Sequence, residues 1–151
     1  MSAGGKAKSK LKVDSIVIRI PSWAVKLYTG TAILLIPWTL YLGWSLPARH
    51  LSSHWDVSWT GLDIALIVSF LLTGIMAYVR SMWIVITAST TGSFLLVDAW
   101  FDILTEHSGP LFHQAVVTAV VLEIPLALTS FYIAGHALQR VKRHALKTNR
   151  R

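Results

Sequence analysis

No charged side chain stands between Asp63 and Arg80, and none between Arg80 and Asp98. A bilayer core of about 30 Å takes roughly 20 apolar residues per helical crossing, and buried helices of soluble domains rarely run that long without a charge. Four segments meet the requirement: Ala24 to Leu46, Trp59 to Tyr78, Met82 to Leu104 and Phe112 to Leu138. With 54% hydrophobic residues, 14% charged and seven tryptophans in 151 residues, lipid is the expected solvent. The expected fold is all-α, a membrane-embedded antiparallel four-helix bundle.

The basic residues set its orientation. Lys6, Lys8, Lys10, Lys12, Arg19 and Lys26 precede or open the first span, and Arg140, Lys142, Arg143, Lys147, Arg150 and Arg151 follow the last. Arg80 lies in the turn between spans two and three, which leaves Arg49 alone on the other side. The positive-inside bias then puts both termini in the cytoplasm of a multi-pass plasma-membrane protein. The domains read as a basic cytoplasmic tail with an interfacial segment (1–22), a four-span bundle (23–138) and a second basic tail (139–151). The net charge of +7 therefore speaks for topology and for anionic lipid at the basic tails, with no nucleic acid expected. Within the first tail, Val13 to Ile20 reads equally as a surface strand or an interfacial helix. No small-residue cleavage pattern follows the first apolar run, so it reads as a retained span and not a signal peptide. Trp23, Tyr28, Tyr78 and Trp83 fall near the inner interface, and Trp44, Trp55, Trp59 and Trp100 near the outer one, as anchoring rings do.

The short connection at Arg80 makes spans two and three a hairpin. Small residues mark its contact faces: Ser69, Thr73 and Ala77 on one helix, with Ala88 and Gly92, or Ser89 and Ser93, on the other. The same spacing suits a homo-oligomer. Pro37 and Pro125 interrupt spans one and four near their middles, and each is expected to bend its helix.

The acidic residues are the chemical lead. Asp98, Asp102 and Glu106 recur at four-residue steps in "LLVDAWFDILTEH", which stacks three like charges on one helix face near its partially negative C-terminal end. Protons or cations must compensate them. Glu123 lies still deeper, in "VVLEIPLA", where an ionised carboxylate facing lipid would cost a few kcal/mol, so it should face the bundle interior. Asp63 stands three residues after Thr60, the spacing of a capping box, and is also placed to join the others. Asp63, Asp98, Asp102 and Glu123 form a candidate ion- or proton-binding set on the outer side. Oxygen ligands alone suit a divalent cation such as calcium or magnesium, whereas His54, His107 and Glu106 joining in would suit a transition metal. A hydrogen-bonded structural cluster is the competing reading.

Absent chemistry narrows the field. There is no cysteine, no HExxH, no GxSxG and no nucleotide-binding glycine loop, so an enzyme is the less favoured class. His136 and His144 lie at or past the inner end and form no transmembrane haem pair. The fourth span lacks the spaced arginines of a voltage sensor.

The blocks "PWTLYLGWSLP" from Pro37, "HWDVSWTGLD" from His54, "LLVDAWFD" from Leu95 and "EIPLA" from Glu123 resemble an uncharacterised family of small four-span integral membrane proteins from actinobacteria. The resemblance covers residues 36 to 128. It implies the four-span topology and a bacterial plasma membrane, and it carries over no activity. Two functions then compete. One is an outward-facing acidic cluster that binds a cation or protons, as in a conduit or small transporter. The other is an accessory or scaffold subunit of a larger membrane complex without ion transport. A polar path through Thr87, Thr90 and Thr91 would favour the conduit.

Overall fold

The computed structural model describes residues 20–45, 54–106 and 109–148. The described chain is helical: α1 (Ser22–Ser45), α2 (Trp55–Tyr78), α3 (Ile84–Thr105), α4 (Pro110–Thr118), a π-helical turn (Ala119–Glu123) and α5 (Ile124–Thr148). The last three run on as one rod, so four helices are long and apolar enough to cross a membrane. They form the expected all-α, up-down-up-down bundle, and the chain is a multi-pass membrane protein. Its lipid-facing surface is what water would not tolerate: Leu34, Leu40, Val121 and Leu128 are each more than half exposed. Most of the N-terminal tail, Arg49, His50 and His107 lie outside the described residues.

The start of α1, the end of α5 and the α2–α3 turn share one end of the bundle, the proximal end; the end of α1, the start of α2, the end of α3 and the start of α4 share the other, the distal end. The proximal turn is a Schellman motif. Ser81 N–H donates to Met76 O (3.0 Å) and Arg80 N–H to Ala77 O (3.3 Å), with Arg80 in the left-handed region at φ 56° where glycine is usual. Ser81 Oγ then accepts from Trp83 N–H (3.3 Å) and so opens α3. At the distal end Gly109 has φ 91° and ψ −165°, a conformation that only glycine adopts readily, and Pro110 supplies the first helical position.

Close backbone approach fixes the register. A Cβ on Gly74 would sit 2.8 Å from Thr29 Oγ1, tying α2 to α1. One on Gly92 would sit 3.2 Å from the Ala127 carbonyl and 3.0 Å from the Phe131 ring, tying α3 to α5. Gly92 thus serves the α3–α5 contact and not the hairpin. The hairpin is joined instead by Thr73 and Thr91, both fully buried, whose hydroxyls lie 2.9 Å apart. In the same layer Tyr28 Oη donates to Ser130 Oγ (2.8 Å), and its ring packs on Phe70. Tyr28 is therefore a core residue, correcting its expected interfacial role; its hydroxyl finds a partner across the bundle. Trp23, Tyr78, Trp83, Trp44 and Trp100 do face outward.

Gly92→Val should lower thermal stability in detergent by about 1–3 kcal/mol, the usual cost of overpacking. Gly61→Ala, where a Cβ meets nothing within 4 Å, should leave the melting temperature unchanged or raise it slightly.

Candidate functional site: a two-tier carboxylate cluster

Counting outward from the Thr29–Gly74–Gly92 layer at 1.5 Å per residue places the acids in tiers. Asp63 on α2 and Asp102 on α3 stand about 15 Å distal to that layer, as does Thr39 on α1. Asp98, and Glu123 at the end of the π turn, stand about 9 Å distal to it. The tiers interact. Asp98 couples electrostatically to Asp102, Glu123 and Asp63, and Glu123 couples to Asp102 and Asp63. Glu106, one turn further out at the C-terminus of α3, couples to Asp102 and marks the mouth. Three separate spans thus bring together all four carboxylates of the expected set.

Asp63 does not close a capping box. The helix begins four residues earlier than the second span was expected to, with His54 as its N-cap, so Asp63 lies two turns inside it. It is 4% exposed and accepts a hydrogen bond from Thr39 Oγ1 at 3.3 Å. Nothing in span one pointed to Thr39 beforehand, because a lone threonine among apolar residues is ordinary. Thr39 also borders an apolar groove of about 630 Å³ between α1 and α2, lined by Ile36, Leu40, Trp44 and Ile64 on the lipid side.

Glu123 is 9% exposed, and its Oε2 has no hydrogen-bond partner. The Thr118 hydroxyl lies against the Glu123 carboxylate, but it also turns toward the carbonyls of Gln114 and Ala115 (3.1 and 3.0 Å), so its single proton is shared and Oε2 gains no bond. The π turn explains how an acid comes to face inward here. Ala115, Ala119, Glu123 and Ala127 are all buried at four-residue steps. In a plain α-helix each step overshoots a turn by about 40°, so three would swing the last residue roughly 120° off the buried face. The wider turn, closed by Ile124 N–H donating to Ala119 O five residues back, absorbs the drift just before Pro125. Around Pro37, by contrast, α1 continues unbroken.

Toward the proximal side the cluster meets a hydrophobic floor of Phe70 and Leu95, each at most 4% exposed. The nearest buried hydroxyls beyond it are Thr73 and Thr91. Thr87 turns back to Trp83 O and Thr90 is exposed, so no polar path continues through α3.

Among the described residues no salt bridge reaches these acids, and no three His, Asp or Glu side chains are placed to hold a metal ion. His54 is exposed at the start of α2 with φ 63°, and His107 lies outside the described residues. No protein-family model, no curated protein and no solved structure matches this chain.

Thr39→Val should cost about 1–3 kcal/mol, because it strips from a buried carboxylate the hydrogen bond that Thr39 donates. Adding Asp63→Leu to it should recover most of that loss in thermal unfolding, since both polar partners are then gone.

Proposed function

We propose that the distal cluster takes up protons from the outer side of a bacterial plasma membrane, making this small protein a proton-responsive membrane element. Orientation rests on the basic residues at the proximal end, which the positive-inside bias assigns to the cytoplasm together with both termini. The plasma-membrane assignment rests on the resemblance carried by the "DAWFD" and "EIPLA" blocks. The observation that carries the reading is Glu123, buried with an unpartnered oxygen among three other carboxylates and, among the described residues, no cation. Left ionised and unpaired, such a group costs several kcal/mol. A proton neutralises it within the geometry present, whereas a divalent cation needs three converging ligands. Glu106 and Asp102 form a graded approach from the mouth, and Phe70 and Leu95 end it.

The floor makes the site one-sided. A conduit must cross the whole membrane, so a single copy of this chain binds protons without passing them. That favours the accessory-subunit reading as the physiological setting: a proton-binding element that reports outer acidity to a partner in the membrane.

Ionised, the cluster repels itself; protonated, it does not. Acidification should therefore raise the thermal stability of the purified protein in detergent. Glu123→Gln and Asp98→Asn each remove one member of the repelling set. At alkaline pH each should equal or exceed wild type in stability by on the order of 1–3 kcal/mol, with the gap closing in acid. Superimposable pH profiles for wild type and both variants would refute the reading. Restoration of alkaline stability by calcium or magnesium would replace the proton with a cation.

A further inference from the structure

The proximal end of α5 carries a second polar feature, remote from the carboxylates. His136, Gln139, Arg140, Arg143 and His144 line a recess of about 360 Å³ on one flank of the helix. The neighbouring flank, Ile133, Ala134, Ala137 and Val141, packs into the core, so the rotation of the basic flank is set by tertiary contact and not by helix fraying. One guanidinium is already oriented: Arg140 Nε donates to His136 Nε2 at 3.1 Å, and the His136 ring stacks on Tyr132 at 23°. No Asp or Glu occurs after Glu123 in the sequence, so α5 supplies its basic residues with no acid of its own.

Register places this recess at the proximal edge of the bundle. Gly92 lies against Ala127 and Phe131, so the first turn of α3 is level with about Ala137, the antiparallel helices advancing 1.5 Å per residue. His136 thus stands at the proximal edge of the bundle, with Arg140 and Arg143 one to two turns beyond it. Tyr132, 69% exposed, sits just inside as an interfacial ring does. With the proximal end cytoplasmic, as the proposed orientation has it, that depth is where phosphate groups of the inner leaflet lie. Paired guanidinium groups suit phosphate by charge and by forked donor geometry.

We propose that the proximal end of α5 is a phosphate-binding site, with Arg140 and Arg143 as the ligating pair, His136 as a positioning residue and an anionic phospholipid headgroup as the occupant its depth favours. Phosphate is the shared chemistry of a headgroup and of a free anion, and the test separates the two sources. Full-length protein in neutral detergent is titrated with phosphatidylglycerol, phosphatidylcholine or inorganic phosphate. Thermal stabilisation and lipid adducts in native mass spectrometry are recorded for wild type, R140Q/R143Q and the charge-matched control R150Q/R151Q. The expected result is preferential binding of phosphatidylglycerol, weakened about tenfold or more in R140Q/R143Q, as loss of a charge-assisted hydrogen bond predicts, and retained in the control. Competition by millimolar inorganic phosphate would support the same site with a free anion as its ligand. Equal weakening in both double variants would reduce the effect to net charge and overturn the proposal, as would equal affinity for phosphatidylcholine. Since the two arginines are exposed, unchanged lipid-free melting of R140Q/R143Q checks that the fold is intact; a lowered value moves the test to H136A. That variant should bind phosphatidylglycerol more weakly with the control unaffected, and unaltered binding in H136A would count against the proposal.

Discussion

Close approach at Gly74 and Gly92, together with the Thr73–Thr91 hydroxyl pair between α2 and α3, sets the height of every helix relative to its neighbour, and the acidic site exists because of that height. In lipid there is little hydrophobic force to press helices together, so packing and interhelical hydrogen bonds decide the register. Here two glycines admit Thr29 and Ala127 to within contact, and the Thr73–Thr91 and Tyr28–Ser130 hydroxyl pairs pin the same layer. Sliding α3 by one turn against α2 would move its acids about 5 Å. Asp102 would leave the level of Asp63, and Asp98 that of Glu123. The core layer and the carboxylate tiers are therefore one structural decision.

Within that frame the π turn performs a rotation that register cannot. Height alone brings Glu123 level with Asp98, but its azimuth depends on the wide turn between Ala119 and Glu123. Widening a helix sacrifices regular hydrogen bonds, and Pro125 has already removed one donor nearby. Placing both departures in one stretch confines the cost to a single site, next to the only acid of the fourth span.

The four spans, the hairpin at Arg80 and the convergence of Asp63, Asp98, Asp102 and Glu123 were legible in the sequence, for one reason. In lipid, hydrophobic length and the position of each charge are under strong energetic constraint, so a carboxylate in an apolar run has one acceptable direction. What escaped depends on geometry that apolar composition does not encode. The π turn shows only as buried alanines at four-residue spacing, which looks helical until the accumulated drift is counted. Thr39 became visible only once α2 proved to start at Trp55, placing Asp63 well inside the helix. Tyr28 looked like an interfacial ring by its distance from the chain terminus, and Ser130, a hundred residues away, redefined it. Gly92 carried a correct small-residue signal attached to the wrong neighbour, because one helix face cannot name its partner.

The two charge populations of this chain occupy opposite kinds of environment as well as opposite ends. The clustered distal acids are on short side chains turned inward and crowded among themselves, while the bases at the proximal end of α5 are on long, exposed side chains. A long arginine relieves itself by reaching water or phosphate; a glutamate at mid-span has no such reach and depends on what comes to it. This asymmetry makes the proximal end suited to anchoring and the distal end suited to response. The floor of Phe70 and Leu95 keeps the two apart, so a change in distal charge reaches the proximal side only through movement of the helices themselves. The shared core layer at Thr73 and Thr91, lying just beneath that floor, is where such movement would have to be transmitted.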